Sequence, residues 1–395
     1  MNYIFSDRVS TIKPSAIREI LKLSSDPSVI PFSAGNPAAE SFPFDEIKKY
    51  TDDILNKEPV MALQYGVTEG FIPLRDALKS RCIDVYHSYD ENTDDLIITS
   101  GAQQVFDLLT KTTCNEGDTV IAEGPAFVGA LTAFKSYGVN LKQVDVKEAG
   151  MDLNQLEETI KESKNPRFIY CIPNFQNPTG LTMSLEVRKG ILELARKYNI
   201  LVLEDNAYAD IRFKGTHLPT IKSMDTEGRV VYAGSMSKLL SPGLRVGFVS
   251  ASTELMSKMI VAKQVSDVHT PVLNQMICHR FLIYSDLVKH VERINKIYLR
   301  KSDLMLNELD SNADGAFSYT RPEGGLFIWC TLPEGKDMLE FCKKSVEKRV
   351  AVVPGNAFYA NEAQKRQSFR INFSSPSDDM IIEGIKTIAS VAKSI

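Results

Sequence analysis

The sequence has no excess of charge of either sign. It contains 46 basic and 50 acidic residues among 395, for a formal net charge of -4. This balance excludes a strongly basic nucleic-acid-binding protein and a disordered acidic chain. The sequence also lacks any apolar run near the roughly 18 residues that a membrane span needs. We therefore expect a folded protein whose partners include neither nucleic acid nor membrane.

Cysteine and histidine are scarce as well. The 6 cysteines include no Cys-x-x-Cys spacing, and the 5 histidines include no His-Glu-x-x-His pair. Zinc sites and dithiol redox sites usually need these spacings, so no metal site is expected. The first residues show no basic stretch followed by an apolar core, so no signal peptide is expected. Unpaired thiols then indicate a reducing compartment, the cytoplasm.

Short apolar runs alternate with helical patterns between residues 96 and 264. Strands are predicted at Leu96–Thr99, Thr119–Ala122, Arg167–Ile172, Ile200–Leu203, Val230–Ala233 and Val246–Ser250. Helices are predicted between them at Gln103–Thr113, Ser184–Tyr198 and Glu254–Gln264. Continuous apolar strands separated by helices are typical of an α/β fold, whose parallel sheet is covered on both faces. Such sheets bind ligands at the carboxyl ends of their strands.

The pattern changes near residue 290. A long helix is predicted at Lys289–Leu309, and a short helix is predicted near the start of the chain at Ser15–Leu23. The remaining predicted elements are strands at Gly325–Thr331, Val350–Val353 and Ser368–Ser374, and a helix at Ser377–Ala392. We therefore expect three parts: an N-terminal arm (1–44), a large domain (45–290) and a small α+β domain (291–395).

One lysine follows a predicted strand in the run Gly234-Ser235-Met236-Ser237-Lys238. A lysine in a loop is usually a solvated surface charge, but small residues flank this one and apolar strands bracket it. Desolvation there would lower the pKa of Lys238, and a neutral amine can form a Schiff base. The run also matches the Ser-x-x-Lys of penicillin-binding enzymes. Those enzymes need Ser-Asp-Asn and Lys-Thr-Gly partners, and the sequence contains neither.

Four further segments place polar residues at or near predicted strands. Each can be read as part of a binding site or as an ordinary structural feature. Asn174–Gly180 contains Asn-Pro-Thr-Gly, which is also a common turn. Asp205 lies at a strand's carboxyl end, where an acid can also be a helix N-cap. Ser100–Gln104 begins a helix whose N–H groups could bind phosphate, although many helices begin this way. Arg370 lies within an apolar strand, so it needs a carboxylate, either the protein's own or a ligand's.

Together, the order and spacing of these segments resemble the fold-type-I pyridoxal-phosphate (PLP) enzymes of the class I/II aminotransferase family. The resemblance extends from about Ser33 to Phe373. Segments such as Ala62–Gly66, Gln176–Gly180 and His269-Thr270-Pro271 are similar to the branch that holds 2-aminoadipate and kynurenine aminotransferases. The resemblance implies a mostly parallel seven-stranded central sheet flanked by helices, with a smaller α+β domain. It also implies PLP as cofactor, an obligate homodimer, and amino-acid and 2-oxo-acid substrates.

The resemblance assigns roles around the cofactor ring. Lys238 is expected to form the Schiff base with PLP and then to move the substrate's α-proton. Asp205 is expected to keep the pyridine nitrogen protonated, so that the ring accepts electrons. Asn177 and Tyr208 would hydrogen-bond the phenolic oxygen. Phe127 would lie on the ring face, at a position where the family often has Tyr.

The resemblance also assigns the phosphate and the substrate. Phosphate contacts are implied for Gly101, Ala102, Gln103, Ser235, Ser237 and Arg245, and for Tyr65 of a neighbouring subunit. Ala102 departs from a common Ser and keeps only its backbone N–H. Arg370 would bind the substrate's α-carboxylate with help from Asn177, and Gly35 would allow close approach of the backbone. The N-terminal arm would cover the site as a lid.

The amino donor stays open between 2-aminoadipate, glutamate, aromatic and branched-chain amino acids. An inward Arg18 on the arm helix could pair with a distal carboxylate, and a solvated Arg18 is the alternative. The expected reaction is a ping-pong exchange with 2-oxoglutarate as the acceptor. A PLP-dependent lyase or decarboxylase on the same fold is the main alternative. A nicotinamide dehydrogenase is excluded because no Gly-x-Gly-x-x-Gly run is present.

Overall fold

The computed structural model describes residues 3–6, 10, 26, 28–361, 363–364 and 366–395. The predicted helix at Ser15–Leu23, and with it Arg18, lies outside these residues. Helices and strands are numbered below in chain order within the described part.

A large sheet forms the centre of the protein. Its eight strands within the described residues are β1 (Asp94–Thr99), β2 (Thr119–Gly124), β3 (Asn140–Lys147), β4 (Gly150–Met151), β5 (Pro166–Cys171), β6 (Leu201–Asp205), β7 (Val230–Ser235) and β8 (Gly247–Ser252). Their order is β1-β8-β7-β6-β5-β2-β3-β4. β8 is antiparallel to both of its neighbours, and β4 is antiparallel to β3, while the other pairs are parallel. The predicted α/β fold with a mostly parallel sheet is confirmed.

The strand count differs from the expected seven. The difference is β4, which is a two-residue extension that turns back onto β3 through Lys147 and Gly150. β3 itself was not among the predicted strands. It lies near the edge of the sheet and only Val144 of its residues is buried, so its sequence alternates polar and apolar residues instead of forming an apolar run. The six predicted strands are all present, with ends that differ by at most two residues.

Helices cover both faces of this sheet because alternate strand residues point to opposite sides. Val120, Phe168 and Leu203 belong to one buried cluster, and their neighbours Ile121 and Val202 belong to another. The helices of this region are α1 (Phe44–Lys57), α2 (Pro59–Leu63), α3 (Ile72–Arg81), α4 (Ala102–Thr113), α5 (Val128–Lys135), α6 (Leu153–Lys161), α7 (Leu185–Tyr198), α8 (Thr253–Gln264) and α9 (Val272–Tyr284).

A second, antiparallel sheet follows near the C-terminus. Its elements are α10 (Leu287–Asn312), β9 (Ser318–Tyr319), β10 (Phe327–Thr331), α11 (Met338–Glu347), β11 (Val353–Pro354), β12 (Ser368–Asn372) and α12 (Asp378–Ser394). The four strands lie in the order β11-β12-β10-β9. The N-terminal segment joins this unit, since Ile30 forms a parallel bridge with Val350 and Asn372 N donates to Phe32 O at 2.9 Å.

All three predicted strands here are shorter than expected, and two of them have a local reason. β10 begins at Phe327 because Gly325 has a φ of +71°, at a position where a Cβ would lie 2.6 Å from Cβ of Phe175. β11 begins at Val353 because the preceding Val350 pairs with the N-terminal segment instead of β12. None of the helices in the described ranges is long and apolar enough to span a bilayer, and the same ranges hold no cluster of three metal-ligand side chains.

Candidate active site

A cavity of about 310 Å³ opens where the parallel strands of the central sheet end. The second sheet closes one side of it with Phe327 and Arg370. Its lining includes the following residues predicted from sequence: Gly35, Ala102, Gln103, Phe127, Asn177, Asp205, Tyr208, Ser235, Ser237, Lys238, Arg245 and Arg370. Residues separated by more than 300 positions in the chain therefore meet in one place, as expected for the carboxyl edge of such a sheet.

Lys238 lies in the turn that follows β7. Its Nζ donates a hydrogen bond to the carbonyl of Gly35 at 3.0 Å, and it lies 5.9 Å from the centre of the Tyr208 ring. Burial, with smaller contributions from the positive charges of Arg370 and Arg245, lowers the pKa of Lys238 to about 8. An appreciable fraction of this amine is therefore neutral near physiological pH and able to attack a carbonyl carbon.

Asp205 is the last residue of β6 and is buried. Its Oδ2 accepts a hydrogen bond from the Tyr170 hydroxyl at 3.0 Å, whereas Oδ1 has no partner among the described residues. Burial raises the pKa of Asp205 to about 6, and the Tyr170 hydrogen bond opposes that rise. A buried carboxylate with one unpaired oxygen is suited to accept a hydrogen bond from a cationic ring nitrogen.

Sequence reasoning missed Tyr170, although a signal for it exists. Tyr170 pairs with Leu203 across the β5–β6 ladder, so it lies on the same sheet face as Asp205. Because residues two apart in a strand share a face, the register of two neighbouring strands would have placed the two side chains together.

The start of α4 forms one end of the cavity. Gly101 precedes it with a φ of +77°, and a Cβ there would lie 2.3 Å from Nη2 of Arg245. No side chain caps this helix, so its first N–H groups are left to bind another acceptor. Arg245 Nη2 donates to the carbonyl of Ser100 at 3.1 Å, and the Ser235 hydroxyl accepts from Ser237 N at 3.1 Å. This end therefore combines helix N–H groups, hydroxyls and one guanidinium, which is a set suited to phosphate.

Arg370 lies at the opposite side, buried on β12. Its Nη1 donates to Oδ1 of Asn177 at 2.9 Å, and its Nη2 donates to the carbonyl of Ser33 at 2.9 Å. Its acceptors in the described part of the chain are an amide and backbone carbonyls, with no carboxylate, and Nε has no acceptor. Burial lowers the pKa of Arg370 to about 10. The guanidinium therefore lacks the counter-charge that a ligand's carboxylate would supply.

Aromatic rings complete the walls. Phe127 lines the cavity and meets Phe106 edge-on, with 6.3 Å between ring centroids. Tyr208 is buried, and burial raises its pKa above the ordinary tyrosine value, with the charge of Asp205 acting in the same direction. Its hydroxyl therefore stays protonated and can donate a hydrogen bond.

A buried network that sequence reasoning missed holds the Asn177 loop. Gln176 Nε2 donates to Oε2 of Glu123 at 3.1 Å and to the carbonyl of Pro125 at 2.7 Å. Gln176 Oε1 accepts from Thr179 N at 2.9 Å. Glu123, the penultimate residue of β2, lies beside this loop, and burial raises its pKa to about 8. The network ties the loop to the end of β2 and to Pro125, two residues before Phe127, so it sets where Asn177 meets Arg370.

Residues 27–388 match the family model described as aminotransferase class I and II. The chain belongs to this family. Aromatic-amino-acid aminotransferase 1 of Thermococcus litoralis is 40% identical over 98% of this chain and 94% of that protein. The 2-aminoadipate transaminase of Thermus thermophilus is 38% identical over 99% of this chain and 97% of that protein. A solved structure of kynurenine aminotransferase from Pyrococcus horikoshii matches with a TM-score of 0.95 and 38% identity, covering 99% of this chain and 97% of that one.

The aminotransferase is PLP-dependent, in line with that neighbour and with a Thermus thermophilus aminoadipate aminotransferase that carries a phosphopyridoxyl ligand. The residues of this cavity fit the cofactor. An amine of lowered pKa, an unpaired buried carboxylate oxygen and a helix start with an arginine match its aldehyde, its ring nitrogen and its phosphate. When bound, PLP supplies an electron sink for the substrate's α-carbon.

Of the predicted site residues that the structure describes, Tyr65 and Gly101 do not line this cavity. Tyr65 is 83% exposed, and its ring contacts His269 edge-on with 5.8 Å between centroids. Its side chain is therefore open to contact with another molecule. Arg18 lies outside the described residues. Gly101, in contrast, adjoins the cavity through its contact with Arg245.

Proposed function

We propose that this aminotransferase exchanges an amino group between an L-amino acid and a 2-oxo acid in two half-reactions. The observation that carries the proposal is the convergence of Lys238, Asp205 and Arg370 on one cavity, each with a bonding capacity that the described residues leave open. Arg370 would bind the α-carboxylate through its planar fork. This contact would direct the α-hydrogen towards Lys238. The neutral amine of Lys238 would take the proton from the α-carbon in one half-reaction and return a proton to the α-carbon in the other.

The remaining roles concern the cofactor. Asp205 would hold the ring nitrogen, Tyr208 and Asn177 would bond the phenolic oxygen, and Phe127 would cover the ring. Phosphate binding is proposed for Gly101, Ala102, Gln103, Ser235, Ser237 and Arg245. Gly35 would allow close approach to the substrate, and its carbonyl, which accepts from Lys238 Nζ at 3.0 Å, supports that position.

The amino donor is proposed from the walls of the cavity and from the relatives. Apolar walls, including Phe106, Val128 and Ile172, favour an amino acid with an apolar or aromatic side chain. The named relatives act on aromatic amino acids, 2-aminoadipate and kynurenine. Among the residues that the structure describes, the cations that line the cavity are Lys238, Arg245 and Arg370, and each already has a proposed role. We propose Arg18 as the partner of a distal carboxylate, as in 2-aminoadipate or glutamate.

The test is the first half-reaction. The absorption spectrum of the PLP-loaded protein would be recorded while L-glutamate, 2-aminoadipate, phenylalanine and leucine are added separately without an oxo acid. We expect conversion of the lysine-bound form to the amine form, which 2-oxoglutarate then reverses. Release of ammonia or CO₂ in place of a stable amine form would favour a lyase or decarboxylase. Arg18→Ala should raise KM for dicarboxylic donors only, and equal losses for leucine would refute its role.

We infer that the protein is a homodimer. Its support is an exposed apolar stretch around α2, where Val60, Met61, Leu63, Tyr65 and Val67 have exposed fractions of 75, 51, 73, 83 and 56%. Contiguous exposed apolar residues usually mark an interface. A second copy seated there would bring Tyr65 towards the other chain's phosphate. Light scattering after gel filtration should give twice the mass of 44.1 kDa, and a mass of one chain would contradict the inference.

We also propose a cytoplasmic location and a three-part organisation. All 6 cysteines are free, which suits a reducing compartment. The strands of the second sheet all lie beyond residue 290, and Ile30 forms a bridge with Val350 next to that sheet. This arrangement supports an arm (1–44), a large domain (45–290) and a small domain (291–395). Fractionation of cells and limited proteolysis, respectively, would test the two proposals.

A further inference from the structure

A buried lysine lies behind the phosphate end of the cavity without lining it. Lys263, near the end of α8, has a side chain with 0% exposure. Its Nζ donates to Oε1 of Gln104 at 2.9 Å, to both carboxylate oxygens of Asp267 at 2.9 and 3.0 Å, and to the hydroxyl of Thr270 at 3.2 Å. An ammonium has three protons, so these acceptors use its full capacity.

The acceptors of Lys263 in turn hold Ser100. Gln104 Oε1 also accepts from Ser100 N at 2.8 Å. The Ser100 hydroxyl donates to Oδ2 of Asp267 at 2.8 Å and lies 3.1 Å from the hydroxyl of Thr270. The backbone N–H and the side-chain hydroxyl of Ser100 are therefore both bonded to atoms that Lys263 itself bonds.

The third polar group of Ser100 belongs to the phosphate end. Its carbonyl accepts from Arg245 Nη2 at 3.1 Å. The next residue, Gly101, packs closely against Gly247. A Cβ on Gly247 would lie 2.7 Å from the Gly101 carbonyl carbon. The turn is thus held tightly between Arg245 on the cavity side and the Lys263 network on the other. A shift of Ser100 would move both the guanidinium and the first N–H groups of α4.

We propose that Lys263 is a positioning residue for the phosphate end of the active site, acting through Gln104 and Asp267 on Ser100. It touches neither the cavity nor its ligand. Its effect is to hold the Ser100–Gln103 turn in the conformation that directs the α4 N–H groups and Arg245 to one point. The inference rests on the proposed phosphate role of that turn, which the experiment tests separately.

The experiment compares two ligands that differ only in the phosphate. Apo-protein is titrated with PLP and with pyridoxal, and binding is followed by the fluorescence of Trp329, the single tryptophan, which lies opposite Arg370 in the β10–β12 ladder. The measured quantity is the phosphate preference, which is the ratio of the two dissociation constants. In Lys263→Met this preference should fall about tenfold, the effect of one lost charge-assisted hydrogen bond, with pyridoxal affinity changing less than about twofold.

Lys111→Met is the matched control. Lys111 lies on α4, and its exposed Nζ donates to the hydroxyl of Ser266, beside Asp267, at 3.0 Å. Removing this ammonium should leave the phosphate preference unchanged. Arg245→Gln tests the underlying phosphate role: if it leaves the preference intact, the proposed phosphate site is wrong. If Arg245→Gln lowers the preference and Lys263→Met does not, only the inference about Lys263 fails.

A loss of both ligands in equal proportion would also overturn the inference, because it would show a general structural role. Ser100→Ala tests the same network if Lys263→Met folds poorly. It removes only the hydroxyl between Asp267 and Thr270 and keeps the Lys263–Asp267 ion pair. It should lower the phosphate preference about threefold, and an unchanged preference in this variant would count against the network.

Discussion

Strand β6 ends in two adjacent buried carboxyl groups whose surroundings differ. Glu204 Oε1 accepts from Ile221 N at 3.0 Å, and its Oε2 accepts from Lys222 N at 2.8 Å. Asp205, one residue on and on the opposite face, has one oxygen bonded to Tyr170 and one without a partner. The first carboxyl is satisfied by the protein, whereas the second is completed only by a ligand.

Two buried arginines repeat this difference. Arg188 donates to backbone carbonyls of Met183 at 3.1 Å, Pro219 at 2.9 Å and Pro173 at 3.0 Å, and also to Asn174. Arg370 leaves Nε without an acceptor in the described residues. Burial alone therefore does not separate structural from functional charges. Incomplete hydrogen bonding beside a cavity does, because an unpaired buried group destabilises the fold unless a ligand completes it.

The largest expected effect contrasts two buried lysines. Lys238→Ala should lower kcat for transamination by about 10³-fold or more, since it removes the group that moves the proton. Lys222, whose Nζ donates to Asp94 at 2.9 Å and which does not line the cavity, is the control. Lys222→Met should lower thermal stability and keep kcat within about twofold. Steady-state rates and melting curves give both values, and comparable kcat losses would break the contrast.

The adjacent carboxyls give the next contrast. Asp205→Asn should lower kcat by about 10²- to 10³-fold, because the ring nitrogen loses its counter-charge. Glu204→Gln should destabilise the fold by about 1–3 kcal/mol, because one of its two backbone donors loses its acceptor. Its kcat per folded molecule should stay near the parent value. Chemical denaturation combined with active-site titration measures both, and a catalytic defect in Glu204→Gln would show that the two faces are not independent.

The two arginines should separate binding from stability. Arg370→Lys should lower kcat/KM for amino acids by about 10²-fold, because a point charge cannot form the bidentate contact with a carboxylate. Amines that lack the α-carboxylate should be unaffected. Arg188→Lys should change the free energy of unfolding and leave kcat/KM alone. If amines and amino acids lose equally in Arg370→Lys, the arginine does not recognise the carboxylate.

A pH series tests the state of the amine on the cavity side. Because the pKa of Lys238 is lowered to about 8, its neutral fraction should rise about tenfold per pH unit below that value and level off above it. The rate at which apo-protein reacts with the PLP aldehyde should follow the same curve. Stopped-flow absorbance measures this rate. A rise that continues to the ordinary lysine pKa would mean that Lys238 is solvated in the free protein.

The smallest expected effect adds a group to the cavity face. Ala102→Ser places a hydroxyl at the first position of α4, beside the proposed phosphate contacts. One added hydrogen bond of about 1 kcal/mol should lower the PLP dissociation constant about fivefold. Pyridoxal affinity should stay the same, since it carries no phosphate. Equal tightening of both ligands would indicate a better helix start instead of a phosphate contact.

The sequence predicted most of the central sheet because its strands are apolar runs with recognisable ends. It also predicted that Lys238, Asp205 and the start of α4 belong to the site, since each lies at or just after the carboxyl end of a strand. It did not predict β3, whose edge position leaves its sequence mixed. Nor did it predict Tyr170, Glu123 or Lys263, because a buried polar side chain looks the same in sequence whether it faces a ligand, a helix or another strand.

What the sequence by itself determined is local: which segments are strands and helices, and where small residues and one lysine interrupt them. Its resemblance to a family extended this to a reaction class. Only the tertiary structure decided which buried charged groups have a full set of hydrogen-bond partners. Those partners, such as Ser33, Tyr170 and Thr270, come from other segments of the chain. Hydrogen bonding acts over about 3 Å, and chain distance carries no information on that scale.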